Sequence, residues 1–250
     1  MYFKESGEKM TVAFCTLGCK VNQYETNLMI KQFEDNNFEV INFEEKADVY
    51  VVNSCSVTNL STRKTRQMLS RSRKLNNKAV VILVGCYAEE IRFSENNILN
   101  GNIFDIILGN EEKKDIIKYL NEFMDSGKPS KEAKLFKVAD IDKVKRYVQP
   151  GNLEKGVNIL RESVKIEDGC NNFCSYCIIP YTRGRVRSRS IEDILIEIKN
   201  LVKNGTKEII LVGIEIASYG KDLENDMSLI DVIEKANAIE GLERIRLRIY

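Results

Sequence analysis

The sequence predicts an α/β protein: a doubly wound, mostly parallel sheet followed by the first part of a βα partial barrel. Apolar runs alternate with amphipathic stretches from residue 10 onward, which is typical of parallel βα units. A charged stretch with two of the three prolines divides two such series. The second series has fewer units than a closed barrel requires, so we expect a partial barrel.

The first domain, residues 10–125, is predicted to contain four strands. The run "MTVAFCTLG" predicts a strand from Met10 to Thr16, "ADVYVVNSC" one that ends at Cys55, and "AVVILVGC" one that ends at Cys86. The fourth strand is predicted from "IFDIILGN". Each run is short and apolar, as expected of a buried strand.

The stretches between these strands predict amphipathic helices. In "NQYETNLMIKQFEDNN" the side chains of Leu28, Ile30 and Phe33 are expected to face the core. "SVTNLSTRKTRQMLSRSRKLN" predicts a helix over 59–74 with Thr58 or Ser61 as its N-cap. "EEKKDIIKYLNEFM" predicts a helix after the fourth strand.

Residues 126–160 are charged and weakly periodic, which predicts a linker with short edge elements. The second domain, residues 161–250, begins with the predicted strand "ESVKIEDGC". We predict that it continues as helix "IEDILIEIKNLVKNG", strand "KEIILVGIE", helix "LIDVIEKANAIEG" and strand "LERIRLRIY". The sequence stops within that last strand, so we expect it to be a fragment of a longer protein, truncated at the C-terminus.

The chain has 250 residues, seven cysteines and no histidine. Without imidazole, a Ser-His-Asp triad, a Cys-His pair and a histidine-containing zinc site are excluded. An odd number of cysteines and a polar N-terminal stretch argue against a disulfide-bonded secreted protein. No apolar run approaches the ~20 residues of a membrane span, so we expect a cytoplasmic protein without a membrane partner.

Three cysteines in the second domain are spaced C-x3-C-x2-C directly after a predicted strand: Cys170, Cys174 and Cys177. Three thiolates on one loop suit a soft metal centre. On a four-iron cluster they leave one iron open for a substrate or cofactor. The alternative is a zinc knuckle completed by a remote fourth cysteine.

A second set of thiols follows three predicted strands of the first domain: Cys19, Cys55 and Cys86. Because the carboxyl ends of parallel strands meet at one crevice, we expect these thiols to lie close together and to form a second three-thiolate site. Cys15 lies inside a strand and is interpreted as a small core residue. The alternative is that all four are buried structural cysteines.

Two basic segments are candidates for nucleic-acid binding. Arg183, Arg185, Arg187 and Arg189 recur at every second residue, so in an extended segment they would share one face that holds phosphates. Alternatively, that face is solvated or salt-bridged. The second segment lies on the helix over 59–74, where four basic residues fall near one face, with a solvated face as the alternative: Arg63, Arg66, Arg71 and Lys74.

Several of these motifs resemble those of a known family. "DGCNNFCSYC", with Tyr176 before its last cysteine, resembles the signature of radical S-adenosylmethionine (SAM) enzymes. "TLGCKVNQYET", "NSCSVTN" and "VGCYAE" resemble the N-terminal domain of the methylthiotransferases. "CIIPYTRGRVRSR" and "LVGIEIASYGKD" resemble the branch that modifies N6-threonylcarbamoyladenosine in tRNA. The chain is therefore identified as a member of the radical SAM methylthiotransferase family along nearly its whole length.

The resemblance implies two [4Fe-4S] clusters and SAM as cofactors. Cys170, Cys174 and Cys177 would hold the cluster that binds and reductively cleaves SAM, and Cys19, Cys55 and Cys86 an auxiliary cluster that carries or donates sulfur. The product would be a 2-methylthio group on the modified adenosine beside the anticodon. Tyr176 is carried over as a cofactor-binding residue, and the position of Glu215 after a barrel strand suggests a contact with the methionine ammonium group, with a surface glutamate as the alternative.

The resemblance also implies partners: the anticodon arm of tRNA, and an electron donor of the flavodoxin or ferredoxin type. Two rivals stay open. One is a sibling enzyme that acts on isopentenyladenosine in tRNA or on a ribosomal protein. The other is a truncated, non-catalytic iron–sulfur or zinc protein that binds RNA.

Overall fold

The computed structural model describes residues 8–92, 103–126, 135–154, 160–224 and 227–248. The chain forms two compact units, Met1–Ile141 and Asp142–Tyr250. Of the predicted linker over 126–160, residues 127–134 and 155–159 lie outside the described residues, as do the last two residues of the predicted final strand. In the described part of the chain, no helix has both the length and the apolar character needed to cross a membrane.

A six-stranded, all-parallel sheet forms the centre of the first unit, in the order β2-β1-β3-β4-β5-β6. Its strands are β1 (Thr11–Thr16), β2 (Glu39–Ile41), β3 (Val49–Ser54), β4 (Val80–Gly85), β5 (Ile106–Leu108) and β6 (Leu135–Lys137). The doubly wound fold class predicted for this domain is confirmed. β6 falls within the stretch predicted as a linker with edge elements, and it lies at the edge of the sheet.

The helices of this unit connect the parallel strands, as βα crossovers require. They are α1 (Lys20–Asp35), α2 (Asn59–Leu75), α3 (Cys86–Arg92) and α4 (Ile116–Asp125), with a short 3-10 helix at Glu112–Asp115. Another 3-10 helix, Ile141–Lys143, lies where the first unit ends and the second begins. The short strand β2 and the short helix α3 were not predicted from the sequence, because neither carries enough residues for a periodic pattern.

Every residue of β3 is buried, and alternate side chains enter two separate cores on the two faces of the sheet. Val49 and Val51 pack with Phe33 on one face, and Tyr50 and Val52 pack on the other. The expected core residues Leu28 and Phe33 are buried. The expectation for Ile30 is wrong: its side chain is only half-buried, and Met29, one position earlier on α1, reaches the core instead.

Thr58 is the N-cap of α2, one of the two candidates predicted from the sequence, and its hydroxyl accepts a hydrogen bond from the backbone N–H of Ser61 at 3.2 Å. We expect Thr58→Ala to lower the free energy of unfolding by about 1 kcal/mol, because the first turn loses that acceptor. Urea denaturation monitored by circular dichroism measures the change. Gln67→Ala, on an exposed position of the same helix, is the control. An equal effect of both changes would contradict the capping role.

The second unit contains a three-stranded parallel sheet in the order β11-β10-β7 and an antiparallel pair, β8 with β9. The strands are β7 (Arg161–Lys165), β8 (Glu167–Asp168), β9 (Arg187–Ser188), β10 (Glu208–Val212) and β11 (Arg244–Leu247). The helices are α5 (Ile179–Arg183), α6 (Ile191–Lys203) and α7 (Leu229–Asn237), with a 3-10 helix at Ile216–Ser218. The parallel βα series agrees with the predicted first part of a βα barrel.

Candidate metal centres and nucleic-acid interface

The three thiols of the first set follow three neighbouring strands. Cys19 follows β1, Cys55 follows β3 and Cys86 follows β4, and these strands pair side by side. Gly18 has a φ of 101°, and a Cβ at this position would lie 2.7 Å from Cβ of Cys55 and 3.0 Å from its Sγ. Glycine therefore allows the loop after β1 to approach Cys55 closely.

The pKa of the Cys55 thiol is affected by both other thiols of this set. Burial raises the pKa of the Cys55 thiol, a backbone hydrogen bond from Val57 lowers it, and the nearby Cys86 and Cys19 raise it further. Cys19 also occupies the N-cap position of α1, and its side chain makes no capping hydrogen bond.

Polar side chains that the sequence analysis missed hold the loops around these thiols. The side-chain amide of Asn22 on α1 donates 2.8 Å hydrogen bonds to the backbone carbonyls of Leu17 and Ser54, and thus joins the loops after β1 and β3. The Cys19 thiol lies 3.8 Å from Oδ1 of the same amide. A polar residue at an otherwise buried helix position, as in "KVNQYE", was the available signal.

Cys15 behaves differently from these three. It lies within β1 and packs against the core on one face of the sheet. Burial, and to a smaller extent Glu44, raises the pKa of its thiol to about 11. Cys15 is therefore a protonated, partly buried thiol near neutral pH, in line with its interpretation as a core residue.

The second set of thiols lies on a loop between β8 and α5. Gly169 begins this loop with a φ of 88°, and a Cβ there would lie 2.0 Å from the carbonyl oxygen of Arg185. Within the loop, the N–H of Cys177 donates to the carbonyl of Cys174 at 2.9 Å. Phe173 has a φ of 47°, a left-handed conformation that is costly for a bulky residue. The guanidinium of Arg185 lies 4.2 Å from the centroid of its ring and stabilises this arrangement.

This cysteine loop leaves its thiols accessible. Cys174 is exposed and Cys170 and Cys177 are half-buried. Burial raises the pKa of Cys170, a backbone hydrogen bond from Asn172 lowers it, and Glu215, Cys177 and Glu167 raise it further. Glu215 therefore lies near the cysteine loop, as its sequence position suggested. Tyr176 is 91% exposed and points away from the protein interior.

A buried carboxyl group beside this loop was missed in the sequence analysis. Glu167 is fully buried, and burial raises its pKa to about 8. Its Oε2 accepts hydrogen bonds from the N–H groups of Ile214 at 2.9 Å and Glu215 at 2.8 Å. Among the described residues, its Oε1 has no hydrogen-bond partner. A buried oxygen of this kind is suited to a hydroxyl or ammonium donor of a bound cofactor.

Both thiol sets fit the ligand chemistry of an iron–sulfur cluster. Each supplies three thiols, which become the soft anionic ligands that these clusters require. In the described part of the chain, no three acidic or cysteine side chains converge on the position of a single metal ion. Three ligands of a four-iron cluster bind three different irons, so their sulfur atoms stand further apart than those around one zinc ion.

The prediction that four alternating arginines share one exposed face is wrong. Arg183 ends helix α5 instead of lying in an extended segment, and Arg183, Arg187 and Arg189 are 0%, 4% and 1% exposed. Arg183 and Arg187 lie 3.4 and 3.6 Å from Oδ2 of Asp168. The salt-bridged alternative therefore describes these three residues.

Arg189 pairs with the fully buried Glu197 on α6. Its guanidinium also donates to Oδ1 of Asn152 at 2.7 Å and to the carbonyl of Asp193 at 3.0 Å. Of the four arginines, Arg185 alone is exposed, and it forms an exposed ion pair with Asp142 at 2.8 Å. Such a pair is worth little and leaves Arg185 accessible to an anionic partner.

The basic residues of α2 do reach the solvent: Arg63, Arg66, Arg71 and Lys74 are all exposed. Arg66 donates to the hydroxyl of Tyr87 at 2.7 Å, and Arg71 forms an exposed ion pair with Glu44. α2 begins four residues after Cys55, so this basic face starts next to the first thiol set.

Comparison with known proteins identifies two regions. Residues 11–109 match the family described as "Uncharacterized protein family UPF0004", and residues 164–249 match the "Radical SAM superfamily". The chain is 37% identical over 95% of its length to the threonylcarbamoyladenosine tRNA methylthiotransferase MtaB of Bacillus subtilis, of which it covers 51%. It is 34% identical over 98% of its length to the tRNA-2-methylthio-N(6)-dimethylallyladenosine synthase of Clostridioides difficile, of which it covers 50%. The chain spans about half the length of these curated relatives.

Solved structures support the fold. The radical S-adenosylmethionine methyltransferase TsrM of Kitasatospora setae, solved with cobalamin and a [4Fe-4S] cluster, aligns with a TM-score of 0.53 at 13% identity. The alignment covers 86% of this chain and 51% of that one. At this identity the likeness concerns the fold alone.

Proposed function

We propose that this chain, which matches UPF0004 over residues 11–109 and the radical SAM superfamily over residues 164–249, is a radical SAM methylthiotransferase that acts on an adenosine in tRNA. The observation that carries the proposal is the pair of three-thiol sites: one at the carboxyl ends of β1, β3 and β4, and one on a loop after the first strands of the second unit. Two such sites on one chain suit a reaction that needs both radical formation and a sulfur carrier.

In this proposal Cys170, Cys174 and Cys177 hold one [4Fe-4S] cluster, and Cys19, Cys55 and Cys86 hold the other. When bound, the first cluster would supply the electron for reductive cleavage of SAM, and the second would carry or donate sulfur. The residues of the chain bind and orient these groups. The exposed Cys174 and Tyr176 leave the cysteine loop open to the cofactor, and Glu215 and Glu167 offer acceptor oxygens to its ammonium and hydroxyl groups.

The proposed substrate is N6-threonylcarbamoyladenosine next to the anticodon. Relatives named for this substrate match at 37% and 36% identity, and a relative named for dimethylallyladenosine at 34%. A flavodoxin- or ferredoxin-type protein would deliver the electrons, and the reaction would take place in the cytoplasm. The sibling reaction on isopentenyladenosine (dimethylallyladenosine) is the second candidate, since the relative named for dimethylallyladenosine aligns over 98% of this chain.

The test is direct. The chain is purified without oxygen, reconstituted with iron and sulfide, and incubated with SAM, a reductant and tRNA that lacks the methylthio group. Mass spectrometry of the digested tRNA is expected to show a methylthio gain on threonylcarbamoyladenosine and none on isopentenyladenosine. A gain on the latter alone would favour the sibling reaction. A preparation that holds zinc, or no metal, would contradict the proposal.

Arg63 and Lys74 on α2 are proposed to contact tRNA phosphates. We expect Arg63→Gln/Lys74→Gln to weaken tRNA binding and to reduce the slope of log affinity against log salt concentration by about 1–2, because two phosphate contacts no longer release counterions. Fluorescence anisotropy of labelled tRNA at several salt concentrations measures the affinity and its salt dependence. Lys78→Gln, an exposed lysine near the amino end of β4, is the control. An unchanged slope in the double variant would exclude this face as the binding surface.

A further inference from the structure

The side chain of Asn110 approaches one of the three thiols of the first unit. Asn110 follows β5 and is 9% exposed, and its amide nitrogen Nδ2 lies 3.9 Å from Sγ of Cys86. Its backbone N–H donates to Oε1 of the fully buried Glu89 at 2.6 Å, which fixes the position of the residue. None of the family motifs quoted from the sequence includes this asparagine.

The orientation of the Asn110 amide is set by a second residue. Nζ of Lys113 donates to Oδ1 of Asn110 at 2.6 Å. An ammonium group can only donate, so the oxygen must face Lys113 and the NH2 group must face Cys86. The amide is thus held as a donor toward the sulfur atom.

Lys113 is itself held by a buried ion pair. Its Nζ lies 2.5 Å from Oε2 of Glu25, and each of the two side chains is 7% exposed. Glu25 lies on α1, the helix that begins directly after Cys19. A buried pair of this kind is weak evidence for stability, because desolvation opposes the attraction of the charges. Its geometric effect is clear, since it fixes the donor that orients Asn110.

We propose that Asn110 is a positioning residue that donates a hydrogen bond to the Cys86 thiolate and thereby raises the reduction potential of the auxiliary cluster. The inference rests on the proposed function, which assigns Cys86 as a cluster ligand. Hydrogen bonds to ligand sulfurs and nearby positive charge stabilise the reduced, more negative state. Lys113 contributes by holding the amide in the donating orientation.

The experiment uses the full chain with Cys170→Ala/Cys174→Ala/Cys177→Ala, so that only the auxiliary cluster is reconstituted. Its potential is measured by redox titration monitored by electron paramagnetic resonance. Asn110→Leu removes the donor at similar volume, and Asn110→Asp replaces it with an acceptor. We expect Asn110→Leu to shift the equilibrium between the oxidised and reduced cluster about tenfold toward the oxidised state. This corresponds to a reduction potential that is ~59 mV more negative. Asn110→Asp should make the potential more negative still.

A second variant separates the effect of the orientation of the Asn110 amide from the effect of the charges on Lys113 and Glu25. Lys113→Gln/Glu25→Gln removes both charges at once and keeps an N–H donor near Oδ1 of Asn110. It is expected to shift the potential less than Asn110→Leu does. Asn76→Leu is the matched control: its amide donates to the carbonyl of Ala47 at 2.7 Å, at the opposite end of the sheet, and its loss should leave the potential unchanged.

Failure of the inference on Asn110 and failure of the proposed auxiliary site would give different results. If the variants bind about four irons and their potentials equal that of the parent, the inference on Asn110 is overturned and the cluster assignment stands. If the parent triple variant itself binds no iron, the proposed auxiliary site fails, and the inference fails with it.

Discussion

Removal of the three thiols of the cysteine loop should halve the iron content of the chain. In Cys170→Ala/Cys174→Ala/Cys177→Ala we expect iron to fall from about eight to about four per chain, because one of two four-iron clusters loses its ligands. Reductive cleavage of SAM should be abolished, because the lost cluster is the one with an iron that has no cysteine ligand and can bind SAM. Iron and sulfide analysis and chromatography of the 5'-deoxyadenosine product measure the two effects.

The complementary variant is Cys19→Ala/Cys55→Ala/Cys86→Ala. It should also retain about four irons, but it should still cleave SAM and should form no methylthio product. Cys15→Ala is the matched control, because Cys15 is a protonated thiol inside β1 and lies outside both sets. Its iron content should equal that of the parent. Loss of all iron in either triple variant would contradict two independent sites.

The placement of Cys19, Cys55 and Cys86 after neighbouring strands was predictable because it depends on topology. Parallel strands in a doubly wound sheet end at one edge, so residues far apart in sequence, Cys19, Cys55 and Cys86, could be placed together before the fold was known. The apolar runs that define β3 and β4 are buried on both faces, and such runs are readily recognised. The order of the strands in the sheet made the three thiols neighbours.

The arginines show why local pattern fails where long-range contacts decide. Alternation at every second residue predicts an extended face, but Pro180 in the first turn favours a helix, and Arg183 ends it. Two of the buried guanidiniums pair with Asp168 and the third pairs with Glu197. Nothing in the local pattern shows whether a basic residue will meet such a partner.

The polar residues around the first thiol site were missed for a similar reason. Asn22 and Asn110 belong to a helix and a loop that the sequence presents as ordinary. Their contacts with Cys19 and Cys86 depend on how α1 and the segment after β5 pack beside the sheet. Periodicity finds the elements and the thiols at their ends, but the side chains that orient those thiols follow from tertiary packing.

The buried pair of Arg189 and Glu197 leads to the second large prediction. Arg189→Met should destabilise the second unit by about 3–5 kcal/mol, because it leaves the carboxylate of Glu197 buried without its counter-ion. The chain has two units, so a single unfolding midpoint does not isolate the effect. Hydrogen exchange of peptides from β9 and α6, read by mass spectrometry, gives the local opening free energy instead.

Two further variants make this prediction specific to burial. Arg189→Met/Glu197→Met should recover most of the lost stability, because the double change removes both buried charges and fills similar volume. Arg71→Met breaks the ion pair with Glu44, in which the side chains are 48% and 54% exposed, and should cost less than about 1 kcal/mol. If Arg189→Met proved as mild as Arg71→Met, the ion pair of Arg189 with Glu197 would not contribute to stability as a buried pair should. The same residue type thus has two physical roles in this chain, decided by whether its partner is a buried carboxylate or the solvent.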